Sequence, residues 1–184
     1  MALVVLGLAG ACTDGGESGP TPEPTPTVAS PSPSASEPEV VKPERPEAMD
    51  RDDAEGAAAA AIYFLSLRSY MMVSGDTAEW EAMSHESCGF CSGDLEQARQ
   101  IHERGDSFSG GRILATVVEV YARDSLTGVT PLDVEMDESV TSIVDHSGQE
   151  IFRSDRSVEV NRVEMGQIDG EWVVVEVASL LAGG

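Results

Sequence analysis

The distribution of proline most constrains this fold: nine of the ten fall between Pro20 and Pro46, and only Pro131 lies beyond them. Runs such as Pro20-Thr21-Pro22-Glu23-Pro24-Thr25-Pro26 lock φ and remove backbone donors, so they support neither a helix nor a central strand. They also carry too little apolar surface to offset the entropy of ordering. Residues 12–49 are therefore expected to form an extended stalk, with a reach of roughly 100 Å at about 3.1 Å per residue. Any core must come from residues 50–184, which is ample for one domain.

Ahead of the stalk, Leu3-Val4-Val5-Leu6-Gly7-Leu8-Ala9 falls well short of the about 20 apolar residues that span a bilayer. It matches the apolar centre of a secretory signal. No Lys or Arg precedes Cys12, so the basic opening of that signal is expected upstream of Met1. Leu8-Ala9-Gly10-Ala11-Cys12 resembles a bacterial lipobox, in which small residues precede a Cys that is acylated and becomes the mature N-terminus. Ala9 departs from that pattern, where Leu is usual. Ala9-Gly10-Ala11 is also an A-x-A site for ordinary signal peptidase. Both readings cut after Ala11 and make residues 1–11 a signal peptide. With lipid on Cys12 the protein is anchored to the extracytoplasmic face of the cell membrane; without it, the protein is secreted.

Charge narrows the partners. The chain carries 33 acidic and 11 basic residues, a formal charge of −22, and Lys42 is its one lysine. Phosphate binding needs clustered Lys and Arg, so nucleic acid is excluded as a partner. Adsorption to anionic lipid is disfavoured for the same reason. The acidic surplus serves solubility outside the cell.

From Asp50 the pattern becomes helical. Asp50 is expected to cap a helix through Ala54, Ala58, Ala61, Leu65 and Met72 that Gly75 ends. A short helix from Thr77 to about Ser84 follows, with Trp80 and Met83 as core candidates. A third runs from about Ser92 to Arg104, stopped by Gly105. After Gly111 the period becomes two. Arg112–Tyr121 is a β-branched run, and Leu132, Val134 and Met136 alternate with Asp133, Glu135 and Asp137, the pattern of a sheet with one wet face. Val140–Val144 and Gln149–Arg153 read as strands joined at His146-Ser147-Gly148. Val158 and Val160 are out of phase with Val163 and Met165, which predicts a bulge near Asn161. Asp169-Gly170 is a hairpin turn leading into Trp172-Val173-Val174-Val175. The predicted class is α+β: three N-terminal helices packed on a curved antiparallel sheet of about four to five strands.

The lipobox, the Thr/Pro stalk, the Ala-rich helix before Ser74-Gly75-Asp76-Thr77, the Cys88-Gly89-Phe90-Cys91 pair and the Asp169-Gly170-Glu171-Trp172 hairpin, in that order, resemble a family of uncharacterised actinobacterial lipoproteins. Their domain is similar to the cone-shaped fold of the nuclear-transport-factor-two-like superfamily, which includes ketosteroid isomerases. The resemblance implies such a cone over about residues 50–182. It implies no activity, because that superfamily holds enzymes, binding modules and dimerisation modules. Tyr63, Tyr70 and Asp133 do not map onto an isomerase's Tyr and Asp positions.

If Cys12 is lipidated, Cys88 and Cys91 remain as a pair in an oxidising compartment. Three readings stand. A disulfide between them would fix the turn between the second and third helices, adding about 1–3 kcal/mol. A redox-active pair would use a helix N-terminus to lower a thiol pKa. A metal site would combine them with His85 and His102. Asp133, Glu135, Asp137 and Glu138 evoke calcium, but alternation sets the first three on a wet face and no D-x-D-x-D-G loop occurs. No cofactor, metal or catalytic constellation is expected. The functional expectation is a tethered, non-enzymatic envelope domain that binds a small apolar ligand or a protein partner; Leu132, Val134 and Met136, on the sheet face away from solvent, are candidates to line such a site but are expected to be plain core. The alternative is a membrane-tethered thiol–disulfide protein using Cys88 and Cys91.

Overall fold

The computed structural model describes residues 40–180. The signal peptide, Cys12 and the stalk as far as residue 39 lie outside the described residues.

Among the described residues the helical segments begin at Glu47, and a 3-10 helix adds a fourth to the three expected. A short 3-10 helix, Glu47–Asp50, precedes α1 (Ala54–Ser74), α2 (Ala78–Met83) and α3 (Gly89–Arg104). The segment around it, read from sequence as the end of the stalk, lies against the domain. Met49 is in the core, the Trp172 indole donates to the Arg51 carbonyl at 3.0 Å, and Lys42 pairs with Glu79 at 2.6 Å.

Asp53 caps α1 instead of Asp50, its carboxylate accepting from the Glu55 and Gly56 amides. Gly56 explains the choice, since a Cβ there would sit 2.2 Å from the Arg51 carbonyl oxygen, so the chain folds back tightly just before the helix. Gly75 ends α1 at φ 74°, the left-handed conformation that glycine adopts freely. α1 is long and apolar enough to span a bilayer by composition, yet it is the core helix of this domain and 56% of that window is buried. Ala57, Ala60 and Ala61 allow close approach at one end, and Phe64, Leu65, Leu67, Met71 and Met72 fill the interior at the other. Phe64 stacks on Trp80 of α2, ring centroids 4.0 Å apart.

The strands are β1 (Ser107–Gly110), β2 (Ile113–Val120), β3 (Thr130–Glu138), β4 (Thr141–Val144), β5 (Glu150–Ser154), β6 (Ser157–Ile168) and β7 (Glu171–Ser179). They form two antiparallel sheets rather than one: a three-stranded sheet in the order β1-β4-β5 and a four-stranded sheet in the order β2-β3-β6-β7. The break follows one line across the strands. β1 gives way to β2 at Gly111-Arg112, β3 to β4 at Ser139-Val140, and β5 to β6 at Asp155-Arg156, all along one line of the ladder. Gly110 and Gly111 both hold positive φ there, and a Cβ on Gly110 would meet the Val140 carbonyl oxygen at 1.9 Å. Only glycine lets the backbones cross so closely, and the sheet folds over at that line.

The phase change in β6 is not absorbed by a bulge at Asn161. β6 keeps continuous register with β3 from Ser157 to Met165, and the register shift falls on its other edge, between Glu164 and Met165 against β7. Asn161, Val163 and Met165 share the inner, helix-covered face, and Val158 and Val160 stand exposed on the outer one. The Asp169-Gly170 turn is as expected, with φ of 53° and 87°, the two positive values of a type I′ hairpin. β7 is partly closed at its edge, where the His85 amide donates to the Val174 carbonyl at 2.9 Å.

Candidate functional site

The inner face changes character along β3 and β6. Leu132, Val134, Val163 and Met165 are fully buried, so Leu132 and Val134 are core, as expected. One rung beyond Val134, pairing brings Met136 opposite Glu159, and then Glu138 opposite Ser157. Here the cover is incomplete, with α3 contributing Phe90, and a pocket of about 190 Å³ opens, lined by Phe90, Met136, Glu138, Glu159, Asn161 and Val177 together with Ser157 and Ser179. Met136 is the one candidate lining residue that reaches it.

At the rim lies a nearly buried ionic cluster. Arg68 of α1 donates to Asp94 of α3 at 2.6 Å and to Glu138 at 2.8 Å, and their side chains are 13%, 12% and 26% exposed. Thr141 donates its hydroxyl to the same Glu138 oxygen at 3.2 Å. Burial, aided by the Glu138 charge, pushes the Asp94 carboxyl above its ordinary range even against the pull of Arg68. Burial also works against the Arg68 charge, but the two carboxylates outweigh it and raise its pKa. None of these residues stood out in the sequence. The available signal was Arg68 itself, the one charged residue of α1 beyond its first turn, because a charge within an apolar core helix must find a partner.

Cys88 and Cys91 form a bonded pair, sulfurs 1.98 Å and α-carbons 5.2 Å apart. Cys88 is the N-cap of α3, its sulfur accepting from the Cys91 amide, and the Trp80 indole donates to the Cys91 carbonyl at 2.9 Å. The loop is thereby fastened to the core. Both cysteines are 1% exposed, so an attacking thiolate has no approach through the folded domain. His85 and His102 are not brought to them: His85 bonds Ser87 and His102 the Met72 carbonyl. Among the described residues no three His, Cys, Asp or Glu side chains converge to hold a metal ion. The carboxylates of β3 are held apart by pairing. Arg162 reaches Asp133 at 2.6 Å and Arg156 reaches Asp137 at 2.6 Å, and these hydrogen bonds hold both carboxyls below their ordinary pKa.

A larger opening of about 390 Å³ lies under the segment before α1, lined among others by Lys42, Arg45, Met49, Glu79, Glu171 and Trp172. Its cations are taken by carboxylates of the domain itself, Lys42 by Glu79 and Arg45 by Asp50 and Glu171.

The fold and pocket define a class: an α+β domain of helices on two antiparallel sheets, its interior filled and a small acidic opening at the end carrying Met136 and Glu138. The chain belongs to the family of unknown function DUF6318, whose sequence pattern matches residues 32–178. No curated protein matches it in sequence. Among solved structures it is similar to the intermembrane space region of the chloroplast protein ARC6, with a TM-score of 0.54 at 15% identity over 70% of this chain and 98% of that one. At that identity the likeness concerns the fold alone.

Proposed function

We propose that this is a cell-envelope lipoprotein of the actinobacterial kind, tethered through lipid on Cys12 and a Pro-rich stalk. Its cone-like domain acts as a non-enzymatic binding module for a small ligand or a side chain of an envelope protein. The observation that supports this reading is the switch on the inner face at Asn161, from filled core to an open pocket where Glu159 has no ion-pair partner among the described residues. At about 190 Å³ the pocket is smaller than the roughly 300–1,000 Å³ of drug-sized sites, which fits a side-chain-sized group. In this reading the Cys88–Cys91 bond is a structural staple.

The test places a photo-crosslinking residue at Ser157 or Ser179, and as control at Thr127, in intact cells. A defined adduct from the first two positions and none from the control is expected; equal labelling from all three would refute the reading. Intact mass and detergent partition of the mature protein test the tether, with Cys12→Ala as control. Unmodified, water-soluble protein beginning at Cys12 would overturn it.

A further inference from the structure

We infer that the pocket beyond Met136 is a receptor for one organic cation, an alkylammonium or guanidinium on a short apolar stem. The inference rests on the reading that this end of the domain is its binding surface, and it names what is bound there.

Two carboxylates line the pocket, Glu138 and Glu159. The cation that reaches Glu138 is Arg68, which is already divided with Asp94, and Glu159 has no ion-pair partner among the described residues. A second observation is independent of that charge. Asn161 is only 8% exposed, yet its amide nitrogen reaches nothing better than the Met136 sulfur at 3.3 Å. Its carbonyl oxygen has no hydrogen-bond donor among the described residues. No fully enclosed side-chain polar atom there lacks a partner, so this oxygen opens into the pocket that Asn161 lines. The oxygen is therefore reachable from the pocket and free to accept from a donor placed there.

The site thus offers acceptors, and a ligand must bring donors. Ammonium has three and guanidinium five, with no acceptor to clash. Phe90, Met136 and Val177 supply an aromatic face and apolar walls for the stem. Among the described residues no three His, Cys, Asp or Glu side chains converge there.

The test uses the full chain carrying Cys12→Ala, labelled with ¹⁵N. It is titrated with N-acetyl-lysine amide, N-acetyl-arginine amide, putrescine, and N-acetyl-norleucine amide, which keeps the stem without the charge. The cationic probes are expected to give saturable amide shifts at Glu159, Asn161 and Ser179, and the norleucine probe none. Glu159→Gln, at an exposed position, weakens the response about two- to five-fold with the rest of the spectrum unchanged. Earlier saturation by the amino-acid amides assigns a peptide side chain, and by putrescine a free amine. An equal response to norleucine overturns charge recognition and leaves the binding reading standing. Silence towards every cation, with crosslinks from Ser157 intact, overturns the cation alone; silence with no crosslinks removes both.

Discussion

Replacing Arg68 by Met tests the energetics of the buried cluster. The thioether fills much of the space of the arginine stem, so the charge is the main loss. Asp94 and Glu138 are then left together without a cation, at 12% and 26% exposure. Breaking a buried pair by removing one partner costs about 3–5 kcal/mol. Glu138 keeps some water, which places the expected loss near the lower end, about 3 kcal/mol. Against a total stability of about 5–15 kcal/mol that is a large fraction, and it corresponds to a Tm lower by roughly 10 °C for a domain of this size.

The pH dependence distinguishes charge from packing. The Asp94 carboxyl is raised above 3.8 in the folded protein, so its contribution to stability is fully present below that value. It is lost as pH rises through the folded pKa. Removing Arg68 takes away the group that pulls this pKa down, and the window widens upward. The deficit of Arg68→Met relative to the parent is therefore largest at neutral pH and shrinks as acid protonates Asp94. Urea unfolding of both proteins at pH 7 and pH 5 measures it. Adding Asp94→Leu to Arg68→Met removes one stranded carboxylate, and is expected to recover stability at pH 7. A deficit below about 1 kcal/mol at pH 7, or one equal at both pH values, would refute the argument.

Two further outcomes follow from the same structure. Cys88→Ser with Cys91→Ser opens a very short loop while serine keeps an N-cap on α3, which should cost about 1–3 kcal/mol; a protein of unchanged stability that loses its cellular role would instead favour thiol chemistry. Asn161→Val restores the apolar phase of β6 beside Val134 and Val163, and is expected to stabilise the domain by about 1 kcal/mol in urea unfolding while weakening the response to cationic probes; destabilisation would mean that the Asn161 amide serves the fold.

How much could be read from the sequence depended on how local the cause was. The helix end at Gly75 and the Asp169-Gly170 turn were legible because each rests on backbone preferences of one or two residues. The alternation of Leu132, Val134 and Met136 was legible because a period of two survives without tertiary detail. The cap of α1 was missed by three residues because Asp50 and Asp53 are equally good caps in isolation; the crowding of Gly56 against Arg51 decides between them. The fold line through the sheet was hidden because its cause is non-local, the carbonyl of Val140 pressing on Gly110 from thirty residues away. The ionic cluster was hidden for the same reason, its members coming from α1, α3 and β3.

The misread bulge is the most informative of these differences. A phase slip in a strand has two solutions: insert a residue, or leave some side chains on the unexpected face. β6 takes the second, keeping its ladder with β3 and leaving Val158 and Val160 in water. Incomplete helical cover accounts for polar residues at Ser157 and Glu159, both exposed. It does not account for Asn161, which is buried between apolar rungs and bonds only a thioether. A sequence selected for packing alone would place valine there, in phase with Val163. The amide stands at a buried position that opens onto the pocket, where, on the proposal above, a donor from outside the chain completes it.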